Sequence, residues 1–353
     1  MSLSEEEIRE LEKETQKRRA EQRAKEILER SEHMNEEDKE KLHHLENPLS
    51  HITFAPVWFA NFSLPHTDKA AAKEGTDGSP ARELVLVNGD RKLTLYSRDG
   101  LPSGMYARKF LFWVTTQALR RQHLPLYEAR RIPVKSLRAM MKEMDIPVSG
   151  GRTGSAPKLR AQINRVLKMT YDEDYVDSPQ IDDFTNNRIA QKAFFQWEQV
   201  DGDTVDLFEG SHITLDSSFF QGIIDGGAVP LDKRILKKLS RSPLATDIYV
   251  WLTYRLSYVS QLTPVKYSQL YKQFATGYSD TKTGHFNFNA RAEAAFLKVF
   301  DAWEEVTGEA IGARKWPLGI ALLREGKPSV PKQVLTTIAS STPPETDSST
   351  PLF

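Results

Sequence analysis

The chain has 353 residues, with 48 Lys and Arg balancing 48 Asp and Glu, 39 % hydrophobic residues and no cysteine, a length that suits about two domains of roughly 150 residues each. This composition excludes disulfides and thiolate metal sites, and no apolar run approaches the roughly 20 residues of a membrane helix. The zero net charge hides segregation: residues 101–170 hold fourteen bases and three acids (+11), 171–232 two bases and fourteen acids (−12), and 233–324 fourteen bases and seven acids (+7). A molecule patterned in this way can bind phosphate locally while staying neutral overall.

The N-terminus, MSLSEEEIRELEKE, is charged rather than apolar, so no secretory signal is expected and a cytoplasmic chain is the simplest reading. Residues 1–50 form a charged arm, helical or disordered; no apolar heptad is sustained there, which weighs against a dimerising helix. Residues 51–82 are expected to be a linker and the start of a first domain. In 83–96, ELVLVNGDRKLTLY, two β-rich runs joined at Asn88-Gly89 predict a hairpin. A long apolar helix follows in MYARKFLFWVTTQALRRQ, then RRIPVK as an edge strand. A helix started by Ser136 comes next, with Leu137, Met140, Met141 and Met144 as one apolar stripe.

Residues 148–168, VSGGRTGSAPKLRAQINRVLK, join a glycine-rich turn to a basic helix. A nucleotide-binding P-loop needs Gly, four residues, then Gly-Lys-Ser/Thr; here Ser155 stands in place of the lysine and Lys158 comes too late, so the turn is not expected to hold a nucleotide. Leu159, Ile163, Val166 and Leu167 fall on one helix face. Lys158, Gln162 and Arg165 share a second face, flanked by Asn164 and Lys168. AFFQWEQV and TVDLFEGSHITL, separated by Asp201-Gly202-Asp203, predict another hairpin.

The order helix, strand, helix, turn, basic helix, hairpin is that of a winged helix, and it occurs twice. Ser242 and Pro243 start PLATDIYVWLTYRLSYV as a second long apolar helix. YSQLYKQFATG and NARAEAAFLKVFDAWEEVTG follow as helices, with Phe296, Val299, Phe300 and Trp303 inward. IGARKWPLGIALLRE is a wing with Arg314 and Lys315 at its tip. The expected fold is α+β, mainly α: two tandem winged-helix domains at 83–217 and 230–326, a linker at 218–229, and a disordered tail at 327–353 rich in Pro, Ser and Thr.

A helix that reads DNA must present donors matching base edges, Arg for guanine and Asn or Gln for adenine. Lys158, Arg160, Gln162, Asn164, Arg165 and Lys168 supply that mixture, while Thr153, Ser155 and the backbone of the turn suit a phosphate at a helix N-terminus. In the second unit the candidates are Asn289, Arg291, Lys298, Arg314 and Lys315, with Glu293, Asp301, Glu304 and Glu305 leaving a structural role open. No HxH pair or HExxH holds a metal, and the acids Asp172, Glu173, Asp174, Asp177, Asp182 and Asp183 read as a solvated run rather than a two-metal site. No catalytic residue, metal or cofactor is expected, so the chain reads as a binding protein, not an enzyme.

FAPVWFANFSLPH, VNGDRKLTLYSRDGLPSG, RKFLFWVTTQALRRQ, GGRTGS with KLRAQINRVL, and above all LSRSPLATDIYVWLTYRLSYV with YSQLYKQFATGY resemble the RepA-type replication initiators of bacterial plasmids. The resemblance spans roughly residues 50–325. It implies a bacterial protein associated with its plasmid, one that binds repeats (iterons) in double-stranded origin DNA and recruits host DnaA, replicative helicase and primase, with no catalytic site. Similarity to other iteron-binding initiators also implies dimer-to-monomer control through a homodimer. On the turn it matches Gly150, Gly151, Arg152, Gly154 and Ser155, which adds Arg152 to the DNA-binding candidates, and on the helix Lys158, Leu159, Arg160 and Gln162. The sequence departs from the family pattern at Ser103-Gly104 and at Met144-Asp145. The terminal Leu352-Phe353 pair is a candidate for docking on the host sliding clamp. Two alternatives stay open: a winged-helix transcriptional repressor acting on its own promoter, and an interaction scaffold that binds no DNA.

Overall fold

The structure, a computed structural model, describes residues 50–68, 82–149, 151, 153–175, 187–201, 204–207, 210–324 and 326–330. The N-terminal arm, Arg152 and the tail with Leu352 and Phe353 lie outside the described residues. No helix among those described is long and apolar enough to cross a membrane.

Strand β1 (Ile52–Pro56) leads into a short helix α1 (Val57–Asn61). Strands β2 (Glu83–Asn88) and β3 (Arg91–Ser97) form the expected hairpin, with Asn88 opposite Arg91 and Gly89 at φ 64° in the two-residue turn, a conformation that glycine adopts without steric cost. Helix α2 (Gly104–Arg120) is apolar on most sides and buried along most of its length. After it come α3 (Leu126–Arg130), β4 (Arg131–Pro133) and α4 (Leu137–Glu143). Ser136 caps α4 by accepting a hydrogen bond from the Ala139 amide at 3.0 Å, and the Leu137, Met140, Met141 and Met144 stripe is buried.

Helix α5 (Ser155–Lys168) runs straight into β5 (Met169–Tyr175), followed by β6 (Asn187–Arg188), β7 (Ala190–Phe194), β8 (Trp197–Asp201), β9 (Thr204–Leu207) and β10 (His212–Leu215). The hairpin expected around Asp201-Gly202-Asp203 is one long excursion in two tiers, β7 pairing with β10 and β8 with β9. The acidic run is not simply a solvated linker. Its first part is β5, set between β3 and β6, where Glu173 faces Arg91 at 3.9 Å and Asp174 faces Lys92 at 3.8 Å. Residues 218–229, expected as a linker, lie in helix α6 (Ser217–Ile224) and the start of β11 (Ala228–Asp232). The linker reading fails because Phe219, Phe220 and Ile223 give α6 an apolar face that is buried.

Helix α7 (Lys233–Leu239) precedes α8 (Pro243–Leu256), whose cap is Ser242, accepting from the Ala245 amide at 3.3 Å. Strand β12 (Thr263–Lys266), α9 (Tyr267–Phe274), α10 (Lys282–Thr307), β13 (Ala313–Trp316) and β14 (Gly319–Leu322) complete the described chain. Helix α10 begins earlier than its apolar pattern suggested, because Thr281 caps it through the Gly284 amide at 3.1 Å. Two three-stranded sheets share one order: β4-β10-β7 in the first half and β12-β14-β13 in the second. In each, the strand preceding the second helix pairs with the last strand of the closing hairpin.

From Ile52 onward the described residues form a single unit. β1 pairs antiparallel with β11, Ile52 opposite Asp232. At the centre, Arg108 of α2 and Asp247 of α8 make a two-pronged ion pair, Nε to Oδ1 at 2.6 Å and Nη2 to Oδ2 at 2.7 Å, both side chains fully buried. The rest of the guanidinium is satisfied by the carbonyls of Leu64, Pro65 and Gly104. Ser63 donates to Asp247 Oδ2 at 2.6 Å, and His66 Nε2 lies 3.2 Å from the same oxygen.

Burial lowers the His66 pKa from its usual 6.5; Asp247 pulls the other way, and Arg108 and Arg291 add to the lowering. Asp247 is itself held low, Arg108 and His66 outweighing the cost of burial. When pH falls below 6.5, the unfolded chain binds a proton at residue 66 before the native chain does, so stability drops. It drops further as pH falls through the carboxylate range. The melting temperature is therefore expected to fall between pH 7 and pH 5, and His66→Gln should flatten that part of the profile; an identical slope in the variant would remove His66 from the account.

Candidate nucleic-acid interface

The glycine-rich turn is closed by two serines. Ser155 Oγ accepts from the Ser149 amide at 2.9 Å and donates to the Pro147 carbonyl at 2.6 Å, while Ser149 Oγ accepts from the Ser155 amide at 2.9 Å. Gly151 supplies the left-handed residue at φ 74°. Ser155, expected to contact phosphate, is instead buried and saturated by this knot. Thr153 is exposed beside it.

On α5, Leu159, Ile163 and Val166 pack inward as their spacing predicts. The expected donor face divides differently. Gln162 is buried: its Oε1 accepts from the Ser103 amide at 2.9 Å and its Nε2 donates to Asp68 Oδ1 at 3.2 Å, so its amide is engaged within the fold rather than presented on the exposed donor face. Arg165 donates to Asp68 Oδ1 at 2.9 Å, and Lys168 pairs with Asp99. Arg160 lays its guanidinium over the Trp197 ring, 4.1 Å from the centroid, a cation–π contact that fixes the side chain and leaves its donors without hydrogen-bond partners among the described residues. Lys158 is exposed and Asn164 half-exposed, neither with a side-chain hydrogen bond to the described residues.

On α10, Arg291 and Lys298 are exposed, seven positions and so about two turns apart on one face, whereas Asn289 is half-buried. The tip of the β13–β14 hairpin is Pro317-Leu318. Arg314 and Lys315 therefore lie along β13 rather than at the tip, and Lys315 is engaged by Glu293 of α10.

Two open grooves connect these helices. One, of about 790 Å³, has Lys109, Lys158, Arg165, Lys237 and Arg241 among its lining residues, against the acids Asp68 and Asp145. The other, of about 1020 Å³, is lined by His66, Arg241, Tyr278, Asn287, Arg291 and Lys298, with no acid in its wall among the described residues. Arg241, in the turn between α7 and α8, belongs to both, so a basic track runs from α5 to α10. Lys109 is committed to structure, its ammonium donating to the carbonyls of Met144 and Asp145 at 2.9 and 2.7 Å just past the end of α4, and burial lowers its pKa. The sequence reading missed Lys237 and Arg241. The Ser242-Pro243 cap marked that turn, but nothing local signals that it meets α5. No group of three or more His, Asp or Glu among the described residues is placed to hold a metal ion.

Residues 101–269 match the family model RepA_C, described as plasmid encoded RepA protein. Over that segment the chain is similar to RepA plasmid replication initiators. The RepA segment runs from the start of α2 through α5 and α8 into α9; α10 and the β13–β14 hairpin lie beyond it, as does the N-terminal part of the resemblance read from the sequence. Among solved structures, one of domains 2 and 3 of RctB covers 76 % of this chain and 96 % of that chain, with a TM-score of 0.47 and 11 % identity. No curated protein matches the sequence.

Proposed function

We propose that this RepA-like chain initiates plasmid replication by binding double-stranded origin DNA, with α5 and α10 as the third helices of two winged-helix units. The observation that carries this reading is the basic track joining those two helices through Arg241. The repeated sheet order supports it, because a strand paired to the far arm of the closing hairpin is the wing arrangement. Base reading falls to Arg160 and Asn164, and phosphate contact to Lys158, Arg241, Arg291 and Lys298. The chain acts by binding, without a catalytic centre of its own; the host initiator, helicase and primase are the partners that the family resemblance implies, and the sliding clamp is the one that the Leu352-Phe353 pair suggests.

The test is binding to the plasmid's own origin fragment against a scrambled duplex of equal length, across about 50–200 mM salt. Lys158→Ala and Arg291→Ala should each weaken both duplexes and lower the salt slope by about one. Arg160→Ala should cost about 1–3 kcal/mol on the origin alone. Equal binding of wild type to both duplexes would sink the initiator reading.

A further inference from the structure

Asp68 is an anion held inside the basic track. One of its oxygens, Oδ1, accepts from three donors: the Ser103 hydroxyl, Gln162 Nε2 at 3.2 Å and Arg165 Nη1 at 2.9 Å. Two of the three donor residues are buried, Ser103 at 3 % and Gln162 at 6 % exposure. Gln162 is fixed in turn by the Ser103 amide, so the donors are pre-set by packing and do not depend on Asp68 for their position. The carboxylate itself is 70 % exposed on the groove side. Lys158, Lys237 and Arg241 line the same groove.

A single oxygen receiving a hydroxyl, an amide and a guanidinium is the coordination that a non-bridging phosphate oxygen takes at a protein surface. We propose that Ser103, Gln162 and Arg165 form a phosphodiester subsite, that Asp68 occupies it in the free protein as an internal stand-in for phosphate, and that duplex DNA must displace Asp68 to seat on α5. This deepens the proposed function and rests on it for the identity of the ligand as DNA. It gives the buried Gln162 a role that base reading cannot, and it makes Asp68 a brake on binding.

The experiment is a double-mutant cycle in the full chain, with Asp68→Ala, Arg165→Ala and the pair, read by duplex binding at 0.1 M salt. One further phosphate neutralised, at a slope of about −0.9, corresponds to about eightfold at this salt. Asp68→Ala is therefore expected to tighten binding by about that factor and to steepen the salt slope by about one. In the Arg165→Ala background most of the gain should vanish, since the one charged donor of the three that Asp68 blocks is gone. A gain that persists unchanged there would reduce Asp68 to a contributor to the general field and overturn the proposal, as would unchanged binding. Asp68→Asn, which keeps an acceptor but loses the charge, guards against misfolding: if both Asp68 variants melt lower and bind more weakly, Asp68 is a structural brace and the proposal fails. Inorganic phosphate is the second probe. It should raise the melting temperature of Asp68→Ala more than that of wild type. That result in a protein binding no duplex would keep the subsite and discard the DNA reading.

Discussion

Arg108→Met is expected to cost about 3–5 kcal/mol of unfolding free energy, read as a shift of the urea midpoint followed by circular dichroism. The methionine fills much of the same volume but leaves Asp247 fully buried beside Ser63 and His66 with no cation. An isolated carboxylate in that setting must protonate or draw in water. The carbonyls of Leu64, Pro65 and Gly104 each lose one donor in the same step, although Leu64 keeps the Ser63 hydroxyl and Pro65 the Gly104 amide. Against a total stability of roughly 5–15 kcal/mol for an ordinary domain, this is a large share. Arg108→Met with Asp247→Leu should recover part of the loss, because a pair removed together leaves no orphan charge. A loss below about 1 kcal/mol in the single variant would mean that His66 has taken up the proton and replaced the guanidinium as partner, a smaller debt than that of a bare buried charge.

Trp251→Ala is the second large effect, at about 3–5 kcal/mol. Trp251 is 2 % exposed and meets Phe274 edge-on with ring centroids 6.4 Å apart and Phe296 at 6.2 Å. It therefore joins α8 to both α9 and α10. Removing the indole opens a void between three helices whose backbones are held apart by their other contacts, so the void closes only in part. Because β1–β11 and the Arg108–Asp247 pair tie the two halves of the chain together, the loss should lower a single unfolding transition rather than split it. Two separate transitions in the denaturation curve would show that the second repeat melts alone.

How much of this was legible in the sequence depended on the range of the cause. The Ser136 and Ser242 caps, the Asn88-Gly89 turn, the Met140 and Met144 stripe and the inward face of α5 are all set within a few residues, and each was read correctly. What escaped was set by partners far along the chain. Gln162 has the spacing of an exposed donor, and only the approach of Ser103 and Asp68 turns it inward. Arg108 stands in RKFLFW as a cation in an apolar helix, with nothing nearby to announce a carboxylate 139 positions away. Arg241 looked like an ordinary turn residue until α5 and α10 were placed on either side of it. The acidic run misled for a related reason: β5 lies beside β3, so acids that seemed destined for water face Arg91 and Lys92.

The distance from Arg108 to Asp247 also matters while the protein is being made. At about 5–20 residues per second, a nascent chain exposes Arg108 on the order of ten seconds before Asp247 leaves the ribosome. Through that interval five guanidinium donors meant for a dry interior remain in water. Strand β1 waits as well, since the partner of Ile52 is Asp232. The emerging first half stays hydrated and unfinished until α8, which carries Asp247, arrives to close it.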